Sequence, residues 1–314
     1  MLNYILRRMI QTLVLLVVLS FIAFSLVEIM PGDPASAILG STATKEQILQ
    51  LRKEMGLDLP FYERYGNWLW DVFHGDLGWS YMYSEKISDL IAQRLPITMY
   101  LSLLAILLSV ILGIAAGIYC AIKRNSFLDQ ILSVTANIGV SAPSFWLGLL
   151  GIYVFALKLH LLPVQGWTSP FDDFVMSIKQ AVMPVILMAI PSIAVMTRQT
   201  RSAMLEVIRQ DYIRTAWSKG LAEQVVIYRH ALKNSLIPVV TLLGMQLRIF
   251  VGGSVLVETI FNIPGMGRLL VAAAFNKDFL VVQAGVLIIG AVVCLANMLV
   301  DISYAWIDPR IKYH

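Results

Sequence analysis

Charge is what this chain has least of. Only 14% of its 314 residues are Asp, Glu, Lys or Arg, whereas soluble domains carry roughly 25%. With 58% hydrophobic residues and a mean hydropathy of +0.74, it cannot cover its apolar surface with polar groups, so lipid must be its solvent. Cysteine is scarce too: Cys120 and Cys294 both sit in apolar runs, which excludes a disulfide scaffold and makes them small buried hydrophobes. The four histidines, His74, His160, His230 and His314, have no Cys or His at ligand spacing, so no protein-borne metal site is expected. No G-x-x-x-x-G-K-[ST] occurs, which excludes ATP hydrolysis on a phosphate-cradling P-loop in this chain. No nucleophile–base constellation is visible, so no catalytic residue is assigned and the chain reads as a non-enzyme. No basic stripe interleaves with aromatics, which argues against a nucleic-acid partner; the formal net charge of +4 reads as membrane topology.

What the chain has is long apolar runs. About 20 such residues cross a hydrocarbon layer. Six stretches qualify, approximately 9–30, 97–122, 131–157, 181–200, 236–261 and 280–307, and neighbouring helices are expected to tolerate Pro143 and Pro191 inside the third and fourth. The first is too long for a signal-peptide core, despite the "ASA" at 35–37, and reads as a retained transmembrane helix. The fold expected is therefore all-α and integral to the membrane, with six spans. Its parts are a first helix over 1–30, a helical extracytoplasmic segment over 31–96 and a five-helix core over 97–314. Six spans put both termini on one side. Arg7, Arg8, Lys123, Arg124, Arg310, Lys312 and a cluster from Arg198 to Lys233 mark that side as cytoplasmic, since the short opposite loops hold only Lys158, Lys179, Arg268 and Lys277.

Within the outer segment, "TATKEQILQLRKEMGL" predicts a helix capped by Thr44, with Gln47 completing a capping box and Gly56 as the stop. "FYERYGNWLWDVF" places Phe61, Tyr65, Trp68 and Phe73 near helical spacing. This suits either an interfacial aromatic belt or a docking surface for an outside partner. Inside, residues 204–219 predict one amphipathic helix with Leu205, Ile208, Tyr212, Ile213 and Ala216 on one face. Gly220 breaks it, and a second helix is expected from about Ala222 to Ser235 with Leu221, Val225, Tyr228 and Leu232 on one side, before Pro238 opens the fifth span. A long, periodic segment tied at both ends to spans reads as a docking lever rather than a plain solvated loop.

That stretch, "DYIRTAWSKGLAEQVVIYRHALKNSLIP" at 211–238, resembles the EAA loop of ABC importer membrane subunits. Arg214-Thr215-Ala216 stands where Glu-Ala-Ala is typical, followed by three residues and then Gly220. Arg214 in place of Glu and the distant Pro238 are similar to the peptide/nickel branch of type I importers. The resemblance extends through "PGDP" at 31–34, "RLPITMYLSLLA", "GVSAPSFWLGLL", "ETIFNIPGMGRLLVAA" at 258–273 and "DPRIKY" at 308–313. It implies a permease subunit of an importer of di- or oligopeptides, with nickel or another metal chelate, or glutathione, as alternative cargo, in a bacterial cytoplasmic membrane. An ATP-independent secondary transporter is the more distant alternative, lacking here the expected inverted repeats and charged relays.

The resemblance also implies the partners: a second homologous permease, two cytoplasmic ABC ATPases and an extracytoplasmic substrate-binding protein. No cofactor is expected on this chain, and ATP and Mg belong to the ATPases. Within a loop spanning about 201–236, Arg214, Thr215, Ala216, Gly220, Leu221 and Glu223 would couple to the ATPase. Tyr62, Trp68, Trp70 and Pro264 are candidates for contact with the binding protein. Arg248, with Gln246 and Glu258, is a candidate for the translocation path. An intramembrane Arg faces protein or water. Arg248 either attracts a carboxylate of the passing cargo or pairs with the partner permease. Glu258, about 15 Å farther along a helix, is not its local partner. Near the span ends, Glu258 and Asp301 are expected to reach interfacial water. Gly113 and Gly117 form a GxxxG, which marks packing, and Gly252-Gly253 permits close approach or a bend.

Overall fold

The computed structural model describes residues 2–29, 33–39, 43–54 and 56–307. Helix dominates it, and the strands β1 (Trp79–Ser80) and β2 (Glu85–Lys86) form one small antiparallel hairpin. Among the described residues, four helices are long and apolar enough to cross a membrane: α1 (Leu2–Ile29), α5 (Ile87–Ile122), α8 (Phe174–Ile208) and α13 (Phe279–Ile307). A fifth is reached if α6 (Phe127–Ser141) and the piece after it count as one span. The remaining expected stretch is occupied by α11 (Leu232–Ile260).

The third expected stretch, with Pro143 inside it, is broken at that proline. α6 ends at Ser141, α7 (Ser144–Gly151) begins after the proline, and the axis bends by 108°. Pro143 disfavours helical backbone in the residue before it, and Ala142 duly takes φ −73°, ψ 135°. The chain then continues through a π-helical turn, Ile152–Lys158. Pro96, Pro184, Pro191 and Pro238 instead lie within continuous helices. Pro238 therefore sits inside α11 rather than at its start.

The chain divides into two compact units, residues 1–98 with 264–298, and residues 99–263 with 299–314. In the first, Thr44 and Gln47 exchange backbone-to-side-chain hydrogen bonds of 2.9 and 3.3 Å and start α3 (Lys45–Glu54). Gly56, at φ +65°, ends it, with its own N–H and that of Leu57 returning to the carbonyls of Lys53 and Arg52. α4 (Phe61–Phe73) lays Phe61, Tyr65 and Trp68 on α1, with Phe24 edge-on to Phe61 and Tyr65 and tilted against Trp68. The hydroxyls of Ser20 and Tyr65 lie 2.8 Å apart. This half of the aromatic set is packing. Tyr62, Trp70 and Phe73 remain exposed on α4. The core of the unit joins Ile87 and Leu90 of α5 to Met266 and Leu269 of α12 (Met266–Phe275) and Val281 and Ala284 of α13.

In the second unit α8 is the spine. Of its apolar stretch 61% is buried, against 6% for α1, so α8 packs on protein while α1 offers its side chains outward. The GxxxG lets α5 approach it. A Cβ on Gly113 would lie 2.5 Å from the Met196 Cβ, and one on Gly117 would lie 2.5 Å from the Thr200 Cβ and 2.8 Å from the Thr197 carbonyl oxygen. No such contact survives without the backbones moving apart. Gly117→Leu is expected to cost about 3 kcal/mol or more from overpacking and to abolish recovery of folded protein in size-exclusion chromatography.

Candidate coupling surface and membrane path

The segment between α8 and α11 is less simple than two uniform helices. α8 stops at Ile208, and α9 (Asp211–Ser218) starts afresh after Gln210, whose backbone is extended. The single helix expected over 204–219 is thus two pieces. Gly220, at φ +77°, closes α9: its N–H reaches the Trp217 carbonyl at 2.9 Å, and that of Leu221 reaches the Ala216 carbonyl at 3.4 Å. These two bonds satisfy carbonyls that the helix end would otherwise orphan. Ala222 takes the cap position without a side-chain bond, and α10 (Glu223–Val225) passes into a π-helical turn, Val226–Ala231, that runs on into α11.

The four residues expected on one side separate: Leu221, Val225 and Tyr228 are exposed, Tyr228 at 59%, while Leu232, beyond the π turn, packs against the buried cluster. Val226, Ile227 and Ala231 are buried instead, in one cluster with Ile213, Ala216, Met204 and Ala121. A π turn advances each residue by less rotation than an α turn, so a face drawn at α spacing drifts off the buried side. Two polar contacts anchor the lever: Asn234 donates to the Tyr212 hydroxyl at 2.8 Å, and Ser235 lies 2.9 Å from the Met204 sulfur.

Of the residues assigned to coupling, Arg214, Thr215, Gly220, Leu221 and Glu223 are exposed, whereas Ala216 is buried beneath them. Arg214 lies 3.6 Å from Asp211, both well exposed, a pairing worth little in water. A Cβ built on Gly220 meets nothing within 4 Å. The chain thus presents a rigid turn whose outer apolar side chains, Trp217, Leu221, Val225 and Tyr228, are backed by a packed cluster and covered by nothing among the described residues.

Sequence reasoning missed a two-bond ion pair in this unit. Arg201, near the end of α8, grips Asp129 of α6 with two bonds of 3.0 Å, from Nε and Nη2. Asp129 is 3% exposed. It also accepts from the Asn125 N–H at 3.0 Å, while its own N–H donates to Ser126 Oγ at 3.2 Å, capping α6. A local clue existed in Ser126, a cap residue three places before Asp129, but not in the 72-residue separation from Arg201.

The candidates for the membrane path separate. Gln246 is buried on α11 and accepts from the Ser192 hydroxyl of α8 at 2.8 Å. Glu258 is 0% exposed and so does not reach interfacial water; it lies one turn before the Asn262–Gly265 corner, where Ile263 N–H bonds the Glu258 carbonyl at 2.8 Å. The side chains of Arg248 and Asp301 lie outside the described residues. Gly252 and Gly253 have nothing within 4 Å of a built Cβ. Of the residues assigned to the binding protein, Tyr62 and Trp70 are exposed, Trp68 packs on Phe24, and the Pro264 carbonyl accepts from Arg94 at 3.4 Å.

Comparison with known proteins adds to this geometry. Residues 113–313 match the family described as binding-protein-dependent transport system inner membrane component, and residues 1–102 match its N-terminal counterpart. A putative peptide transport system permease protein of Brucella abortus (strain 2308) is 41% identical over 309 residues, 98% of each chain. The dipeptide transport system permease protein DppB of Alkalihalophilus pseudofirmus is 39% identical over 333 residues, with both chains fully covered. The solved inward-facing MetNI methionine ABC transporter shares the fold at a TM-score of 0.56 and 17% identity, over 70% of this chain and 96% of that one.

Proposed function

Because the chain belongs to the family of binding-protein-dependent transport system inner membrane components, we propose that it forms part of a di- or oligopeptide path through a bacterial cytoplasmic membrane, driven by ATP hydrolysed on other subunits. It is a multi-pass ABC importer permease subunit. The observation that carries the coupling reading is the exposed turn around Gly220, set on a buried cluster and continuous with α8 and α11. Movement of this turn is movement of two membrane helices. Two ATPase subunits, bringing ATP and Mg, dock against such turns from the cytoplasm. A second homologous permease supplies the rest of the path, and a binding protein delivers cargo outside. Only contacts that differ between inward-open and outward-open states can drive the switch.

Peptide is favoured as cargo because the relatives at 41% and 39% identity are named for peptide and dipeptide transport. Neither name mentions nickel or glutathione. Proteoliposomes holding the whole complex test this. ATP-dependent accumulation of a labelled dipeptide, absent without the binding protein, is the expected result. Accumulation of nickel chelate or glutathione without dipeptide uptake overturns the cargo, and dipeptide uptake without ATP overturns the mechanism.

A further inference from the structure

Away from the coupling turn, the unit formed by residues 1–98 and 264–298 contains a cavity of about 400 Å³. Its walls are the end of α1, one stripe of α4, the β1 region and the start of α13. Two of its lining residues carry a buried donor without a hydrogen-bond partner among the described residues: Arg64 Nε and Gln283 Nε2. The Gln283 side chain is 3% exposed. A buried donor left unpaired is costly, so these two N–H groups call for an acceptor oxygen. Glu28 does not supply it, since its 2.6 Å bond goes to Arg64 Nη2.

The remaining lining asks for the opposite charge. Glu28 offsets Arg64, but Asp71 and Asp76 also line the cavity, and no other Lys or Arg does. Trp68, Trp79 and Tyr81 line the same cavity as these carboxylates. Aromatic faces next to carboxylates suit an ammonium group. The occupant is thus a zwitterion, with an oxyanion for the buried donors and an ammonium for the acidic, aromatic rim.

Location decides its source. The apolar stretch of α1 ends at Ser25 and that of α13 begins at Phe279, and Phe24, Glu28, Phe279 and Gln283 all line the cavity. It therefore lies at the membrane–water boundary, whichever side that is, where headgroups sit. Beneath it α1 exposes Val14, Val17 and Phe21, a surface on which acyl chains can lie. From this we infer that the cavity is a headgroup site for an aminophospholipid, with phosphate on Arg64 and Gln283 and ethanolamine at Asp71 and Asp76. The inference stands apart from the identity of the cargo.

Native mass spectrometry of the complete transporter, extracted from membranes and from nanodiscs of equal phosphatidylethanolamine and phosphatidylglycerol, tests it. Selective retention of phosphatidylethanolamine is expected. Gln283→Leu should lower that retention about tenfold, as expected for one lost bond to a charged group. Asp71→Asn, at an exposed carboxylate, should shift retention toward phosphatidylglycerol; it also provides the readout if Gln283→Leu fails to assemble. Equal retention of both lipids, or retention unchanged in the variants, overturns the inference. Displacement of the lipid by free dipeptide overturns it in favour of a site for soluble zwitterions.

Discussion

Gly220→Asp should leave the protein folded and the complex inserted, yet reduce substrate-stimulated ATPase and uptake together by about tenfold or more, the cost of an uncompensated charge in an interface. Two separate effects are involved. At φ +77° a side chain costs about 1–2 kcal/mol of backbone strain. Sterically the site is open, because nothing lies within 4 Å of a Cβ there. Gly220→Asn adds the same bulk as Asp with little backbone strain, since Asn tolerates left-handed backbone. The difference between Asn and Asp therefore isolates charge. If Asn transports well and Asp does not, a charge-sensitive partner surface lies against the turn. Normal stimulated ATPase in a reconstituted Gly220→Asp complex would remove the case for docking at this turn.

The second large effect is expected at Asp129. Asp129→Ala removes a bidentate acceptor and leaves the Arg201 guanidinium facing a buried gap. Breaking a buried pair costs about 3–5 kcal/mol, and the lower end applies because the Arg201 side chain keeps 31% exposure. Arg201→Lys should cost less than Arg201→Ala but more than a surface change, because an ammonium cannot reproduce the two parallel bonds. Thermal unfolding of Asp129→Asn, Arg201→Gln and the double variant gives the coupling directly. The two single losses should exceed the double loss by about 1–3 kcal/mol. Additive losses would mean the pair contributes no more than two solvated charges.

Much of this was legible in residue order, and the exceptions have physical causes. The bounds of α3 follow from the exchange between Thr44 and Gln47 and the left-handed Gly56, all local chemistry. α4 covers the aromatic run from Phe61 to Phe73, yet periodicity could not say that Trp68 would face α1 while Trp70 would not. Pro143 was readable as an interruption but not as a 108° bend, since Pro191 of the same type leaves α8 unbroken. The register of the lever was misread at Tyr228 because a π turn leaves no mark in hydrophobic spacing. The Asp129–Arg201 grip joins residues far apart in the chain, and one sequence carries no record of such a pairing. It appears only once α6 and α8 are side by side.

The chain passes between the two compact units three times: at Thr98–Met99 inside α5, at Ile263–Pro264, and at Met298–Leu299 inside α13. At two of these crossings there is no linker to cut, because the chain is helical through them. The first unit is thus a graft whose scion and stock share two helices. Its exchange by recombination in a loop would leave parts of those helices behind. A viable exchange between relatives must join the parts within α5 and α13 in phase, because an error of one residue turns every later side chain by about 100°. Chimaeras spliced in register at Thr98 and Met298 should insert and fold, and those offset by one or two residues should not, as read by protease protection in membranes.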